Sequence, residues 1–363
     1  MRPTVIILSL LLAVAFLSAC KQAPKANAQT SPASRDSRPS PPGQTPETMA
    51  AFERMVRGEW RMTGDDDSGE LDTVQFDTVQ FDTWRWGPGR HSVRNTTYGF
   101  GADGKPWHEL FVAYWHPGEE EIAILSLLPH GWGVSEGDMQ LGDETAYASF
   151  VLDQHGSRRK LGIDWEFSGA DEYRETLTED GVWKLADWRY VRHDSLSPTE
   201  PHAPSEASQL TERLKILEPW FGTTWEKQDH ASDDKIDPAR ATVEWIPYTD
   251  AVCVRVFVPR AGGDPMRLLD VYVYDHSGTD RLQLLALDDE GTVIDGTLAP
   301  LEDGALRFEG TASSLSGRTE TITARIDLES NDILRYRCWL NDGPGQTRRL
   351  DGRYKKVESK RSP

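Results

Sequence analysis

Residues 45–193 and 206–357 read as two copies of one unit, and this duplication constrains the fold more than any other feature. Sliding the second region back by 159 positions, without a gap, pairs Thr83 with Thr242, Trp86 with Trp245, Pro88 with Pro247 and Val93 with Val252. The same offset pairs Gly104 with Gly263, Pro106 with Pro265, Leu110 with Leu269 and Val112 with Val271. It continues through Leu125 and Leu284, Val134 and Val293, and Gly137 and Gly296. So many matches in one register point to a tandem duplication. The fold is therefore one that a unit of ordinary domain size completes alone and then repeats.

Each copy opens on a predicted short helix. Thr45-Pro46 supplies an N-cap and a first-turn proline ahead of Met49, Phe52, Met55 and Val56. In the second copy Leu210, Leu214 and Leu217 form an apolar stripe that stops at Pro219. The rest is β-rich and alternating, most clearly in Val252–Val258 and Leu269–Asp275. Turns are signalled at Ala102-Asp103-Gly104, Glu179-Asp180-Gly181, Asp289-Glu290-Gly291 and Glu302-Asp303-Gly304. Regular strands with no helix between them predict an all-β antiparallel sandwich or barrel. Two identical pentapeptides, Asp72–Phe76 and Asp77–Phe81, are expected in a hairpin extension or bulge, because an odd insertion inside a strand flips every later side chain.

A glycine–tryptophan element follows each predicted helix: Gly58-Glu59-Trp60, and Gly222-Thr223-Thr224-Trp225 with one extra residue. Near the end of each copy stands an Arg-Tyr pair, Arg189-Tyr190 and Arg353-Tyr354. Trp60 to Arg189 spans 129 residues and Trp225 to Arg353 spans 128. This arrangement resembles the calycins, and more closely uncharacterised bacterial lipocalin-like domains. The resemblance implies two tandem lipocalin-like β-barrels, each preceded by a short helix. It also implies that Arg189 stacks on Trp60, and Arg353 on Trp225, where first and last strands meet.

Ahead of the first copy, Arg2 and the apolar run Val5–Ala19 have the form of a signal peptide too short to span a bilayer. The run ends on Leu17-Ser18-Ala19-Cys20, which resembles the lipobox of bacterial lipoproteins. That resemblance implies cleavage after residue 19 and acylation of Cys20. It places the chain in the cell envelope, with Lys21 favouring the outer membrane, facing the periplasm. Residues 20–44 are proline- and serine-rich, a tether that reaches up to roughly 70 Å. Residues 194–205 read as a linker and 358–363 as a tail. A net charge of −19 excludes nucleic acid and a basic membrane patch as partners, so the lipid alone holds the chain to a membrane. Cys253 alternates with inward-looking valines and Cys338 shares a core-like face, which argues against a bridge between them.

Copy one carries nine of the thirteen tryptophans, and this excess marks it as the copy in which a ligand would sit. The candidates for an aromatic-lined cavity are Trp84, Trp86, Trp107, Trp115 and Trp165. A pocket of roughly 300 Å³ or more would identify a binder of a small hydrophobic or amphipathic molecule. A filled interior would instead identify a cell-envelope interaction module. Catalytic residues are not named: Gly-x-Ser-x-Gly and His-Glu-x-x-His are both missing. A hydrolase or isomerase is the weaker alternative, and it would need histidine and carboxylate groups converging in the pocket. His91, His108, His116 and His130 lack paired metal-ligand spacing. Haem, which some barrels of this class hold through one histidine, has only a lone histidine to draw on. The acidic runs 64–70 and 229–234 lack EF-hand spacing and read as solvated loops.

Overall fold

A computed structural model describes residues 47–56, 58–65, 80–100, 106–129, 132–154, 157–193, 211–220, 223–228, 239–247, 249–258, 267–276, 279, 281–330, 332–341 and 347–357. Cys20 and the lipobox, Thr45-Pro46, the tether, the linker, the tail, Gly222 and His130 lie outside the described residues. So do the turn at 102–104, most of both acidic runs, and all of the pentapeptide repeat but its last two residues.

Each copy folds as a closed antiparallel barrel of ten strands in simple up-and-down order. Barrel one comprises β1 (Glu59–Asp65), β2 (Phe81–Trp86), β3 (Ser92–Phe100), β4 (Pro106–His116), β5 (Glu121–Leu127), β6 (Val134–Leu141), β7 (Thr145–Gln154), β8 (Ser157–Phe167), β9 (Glu172–Glu179) and β10 (Trp183–His193). Barrel two comprises β11 (Thr224–Lys227), β12 (Arg240–Trp245), β13 (Ala251–Val258), β14 (Arg267–Asp275), β15 (Leu282–Asp288), β16 (Val293–Pro300), β17 (Leu306–Ser313), β18 (Thr319–Ser330), β19 (Ile333–Asn341) and β20 (Thr347–Val357). Strand side chains alternate between the interior and the outer surface. On β7, Ala146, Ala148, Phe150 and Leu152 enter the core; on β13, Val252, Val254 and Val256 do so while Cys253 faces out.

The segments read as short helices are 3-10 turns, Glu47–Arg54 and Leu214–Trp220. At eight and seven residues they are too short to hold an α-helix by themselves, and packing sets their form. Met49, Phe52 and Met55 close one end of barrel one, and Leu214 and Leu217 join the core of barrel two.

The first and last strands meet differently from the expectation. Trp60 lies inside barrel one, directly opposite Arg192 in the β1–β10 ladder. Tyr190 also points in, so its neighbour Arg189 points out, where it pairs with Glu172 at 2.7 Å. Arg192, two residues on from Tyr190, is the guanidinium that stacks on Trp60, 4.6 Å from the ring centroid. It is held there by Asp171 at 2.7 Å and by the Arg54 carbonyl at 3.2 Å. Gly58 leaves room for it: a Cβ there would stand 3.2 Å from the Arg192 Nη1. In barrel two Trp225 pairs with Lys356, and Arg353 faces out to Glu329. The Arg-Tyr pairs are therefore outward partners of inward tyrosines, one turn of the pleat away from the closure.

The gapless offset of 159 also needs correction. Following the ladders rung by rung around both barrels keeps that offset for β2, β3 and β6 but changes it to 160 for β4 and β5. Leu110 and Val112 face out of barrel one while Leu269 and Val271 face into barrel two, so these identities do not correspond. One residue gained in one loop and lost in another is enough, because a slip of one exchanges the two faces of a strand.

The outward leucines and valines have a destination. Leu110, Val112, Leu125 and Leu127 of β4 and β5 pack against Tyr272, Tyr274, Leu285 and Leu287 of β14 and β15. Corresponding strands of the two copies thus meet, as in a two-fold pair. Tyr274 donates to Glu136 at 2.6 Å across this contact. Strands buried on both faces carry continuous apolar runs, which is why Glu121–Leu127 shows so little polar alternation. Cys253 lies in this contact and Cys338 in the core of barrel two, and no disulfide joins them.

Arg192→Ala is expected to cost barrel one about 1–3 kcal/mol, against less than about 1 kcal/mol for the exposed Arg189→Ala. Urea unfolding followed by tryptophan fluorescence compares them; equal losses would return the closure to Arg189.

Candidate functional site

The interior of barrel one is not filled. A cavity of about 210 Å³ runs from the layer of Trp84, Phe111 and Trp165 toward the end opposite the 3-10 cap, where Gln154, Arg159 and Trp132 stand. It is smaller than the expected 300 Å³, the lower range of drug-sized pockets. At about 30 Å³ per water molecule it has room for roughly seven waters.

Seven strands bring polar groups to its wall: Asp82 from β2, Asn95 and Thr97 from β3, Glu109 from β4, Ser126 from β5, Ser135 from β6, Arg159 from β8, and Glu175 from β9. The Tyr173 hydroxyl donates to Asp82 Oδ2 at 2.7 Å, Ser126 to Glu109 at 2.5 Å, and Trp165 Nε1 to Glu175 at 2.8 Å. Gln80 donates to the Tyr190 hydroxyl at 2.6 Å. Arg159 is already engaged, by a two-pronged pair with Glu179 at 2.7 and 3.0 Å. Asp82 Oδ1, Asn95 Oδ1 and Trp84 Nε1 are buried without a partner of hydrogen-bond geometry, a costly state for interior polar atoms.

Burial disfavours charge on all three acids. Desolvation raises Asp82 to about 6, although Tyr173 and nearby polar side chains favour its ionised form. Desolvation lifts Glu109 to about 7, opposed by Ser126 and helped by the charge of Asp82. Glu175 reaches about 8, again through burial first and then repulsion from Asp82.

Barrel two shows what the same frame looks like when filled. With Trp60 matched to Trp225, the ladders place Ala241 where barrel one has Asp82, Val254 for Asn95, Val256 for Thr97, and Leu269 for Glu109. Continuing around, Ala286 stands for Ser126, Ile294 for Ser135 and Tyr336 for Glu175. Tyr336 lies across Gly352, where a Cβ would come within 2.4 Å of its ring, and Phe308 crosses Gly310 in the same way. In barrel one the corresponding positions are Glu175 opposite Trp188 and Ala148 beside Phe150. Each of these seven polar residues of the cavity wall thus stands where its sister barrel has an apolar or aromatic core residue.

Of the tryptophans singled out from sequence, Trp84, Trp107 and Trp165 line the cavity. Trp86 and Trp115 lie outside it, packed on the core at the capped end, and Trp132 and Trp188 join the wall instead. Trp183 is exposed at the β9–β10 hairpin. His91, His108 and His116 are buried away from the cavity wall. The acids Asp82, Glu109 and Glu175 were not foreseen, although Asp82 shares a strand face with Trp84. Among the described residues, no three acidic, histidine or cysteine groups converge closely enough to hold a metal ion.

No family model matches the chain, and no curated protein matches it in sequence. The chain is similar to a crystal structure of a protein with unknown function from the DUF3598 family of Nostoc punctiforme. That match has 14% identity, covers 86% of this chain and 100% of the other, and has a TM-score of 0.18. A superposition that loose carries no inference to this chain.

The folded protein keeps protons on these acids at pH values where the unfolded chain has released them, so stability falls as pH rises from about 4 through 8. Glu175→Gln keeps the acceptor for Trp165 and removes that cost. It is expected to raise stability by roughly 2 kcal/mol at pH 8, about half of what the full shift implies, and to change nothing near pH 4. Denaturation at both pH values checks this, and a destabilised variant at pH 8 would refute it.

Proposed function

We propose that barrel one binds a small amphipathic molecule, within a lipocalin-like protein that a lipid on Cys20 ties to the outer membrane on its periplasmic side. The observation that carries this reading is the contrast between sister barrels: one interior is packed with aliphatic and aromatic side chains, the other holds a cavity lined by aromatic rings and buried polar groups. Holding three carboxylates and several orphaned polar atoms inside a barrel costs stability. Barrel two demonstrates that the fold has no need of them. Such a cost is characteristic of a binding site, where a ligand supplies the missing partners.

Barrel two fits the other expectation, a solid barrel that works through its outer surface, and that surface grips barrel one. Catalysis in barrel one, the weaker alternative, called for histidine and carboxylate groups converging in the pocket; Asp82, Glu109 and Glu175 line it, and no histidine is among the lining residues. Conversion of a bound ligand to product would establish it.

Native mass spectrometry of residues 21–363, purified from the natural host without the lipid, is expected to show an adduct of small mass. Glu175→Tyr combined with Trp188→Gly transfers the plug of barrel two into barrel one, and should abolish the adduct while far-UV circular dichroism stays unchanged. An unliganded wild type that also ignores a fragment library would overturn the binding reading. For the anchor, Cys20→Ser is expected to move the protein from the membrane fraction to the soluble periplasm; continued membrane retention would contradict lipidation.

A further inference from the structure

The chemistry of the cavity wall narrows the ligand class, on the footing that barrel one is a binding site. Its three acids stand on β2, β4 and β9 and face one interior, near enough for the charge of Asp82 to raise both of the others. The single basic group in the wall, Arg159, is spent on Glu179. No lysine or histidine is among the lining residues. The site therefore offers acceptors and negative charge without an internal counter-charge. Its other feature, a set of tryptophan and phenylalanine rings, presents π-faces that also attract a cation. Asp82 Oδ1 and Asn95 Oδ1, in side chains no more than 6% exposed, add two acceptors without a partner of hydrogen-bond geometry, although Gln80, Thr97 and Asn95 stand near Asp82. A metal ion would need donors drawn together, and among the described residues no three acidic, histidine or cysteine groups are close enough to hold one.

We infer that barrel one is a receptor for a small organic cation: a protonated amine on a compact apolar or aromatic body of about one ring. The ammonium would sit among Asp82, Asn95 and Glu175, and the body against Trp84, Phe111 and Trp165. A neutral polyol would leave Asp82 without a counter-charge, and a carboxylate would face repulsion from Asp82 first and from Glu109 in part. Because Glu175, and in part Glu109, carries a proton in the empty cavity near neutral pH, the arriving cation should expel a proton as it binds.

The test uses three probes of one shape: 2-phenylethylamine, 2-phenylethanol and phenylacetate, with glucose as a polyol. Isothermal titration of the full folded protein (residues 21–363) at pH 7.5 is expected to show the amine binding at least tenfold more tightly than the alcohol. Phenylacetate and glucose should show no binding. Repeating the amine titration in buffers of different ionisation enthalpy should reveal net proton release. In Asp82→Asn or Glu175→Gln the preference for amine over alcohol should fall toward one. Glu109→Gln serves as a further variant should either fail to fold by circular dichroism. Equal affinity for amine and alcohol, or tighter binding of phenylacetate or glucose, would overturn the cation inference while leaving a small-molecule site intact. Failure of every probe, together with an adduct-free native mass spectrum, would overturn the binding reading itself.

Discussion

Closing a ten-strand sheet on itself removes both free edges and leaves each residue one of two places, inside or outside. Everything distinctive in this protein follows from how that parity is used. Inside barrel one it brings Asp82, Trp84, Asn95, Glu109 and Glu175 to a common space from four different strands. On its outside it gives β4 and β5 an apolar face that only a second barrel can cover. It also decides the closure, since of the two arginines near the end of β10 only Arg192 shares a face with Trp60.

Duplication supplied two frames, and their interiors have since taken opposite courses. Barrel two has the interior of a protein core, with Phe308 laid against Gly310 of its own strand and Tyr336 across Gly352 of the neighbouring one. Barrel one carries its aromatic bulk on the other member of each pair, as Phe150 and Trp188, and has carboxyl, amide and hydroxyl groups where barrel two has apolar or aromatic side chains. The exchange weakens barrel one as a folded object, because each buried acid and orphaned polar atom must be desolvated. What it creates is an interior surface that carries three carboxyl groups beside aromatic rings and buried polar atoms without partners.

Much of this architecture was legible in the amino-acid order. Alternation in Val252–Val258 announced strands, the internal repeat announced two equivalent units, and the tryptophan excess pointed to the copy that holds the cavity. Three things were obscured for definite physical reasons. The helices became 3-10 turns because seven or eight residues cannot settle their own form without packing. The closing arginine was misassigned because Arg189 and Arg192 differ by an odd number of residues, and a short motif does not state which member faces in. The acids were hidden by a gapless comparison that slips by one at β4 and β5, which sets Glu109 beside the wrong residue of its sister. Asp82, where the offset holds, already stood opposite Ala241.

The contact between the barrels has a mechanical consequence. β4 and β5 carry Glu109 and Ser126 on their inner faces and are clamped along their outer faces by β14 and β15. That side of the cavity is a braced wall, backed by a second, solidly packed barrel. Any widening to admit a guest must therefore come from the unbraced side, β7 to β9, where Glu175, Trp165 and Arg159 stand. Barrel two thus acts as a buttress: by stiffening one half of its neighbour, it directs compliance to the other.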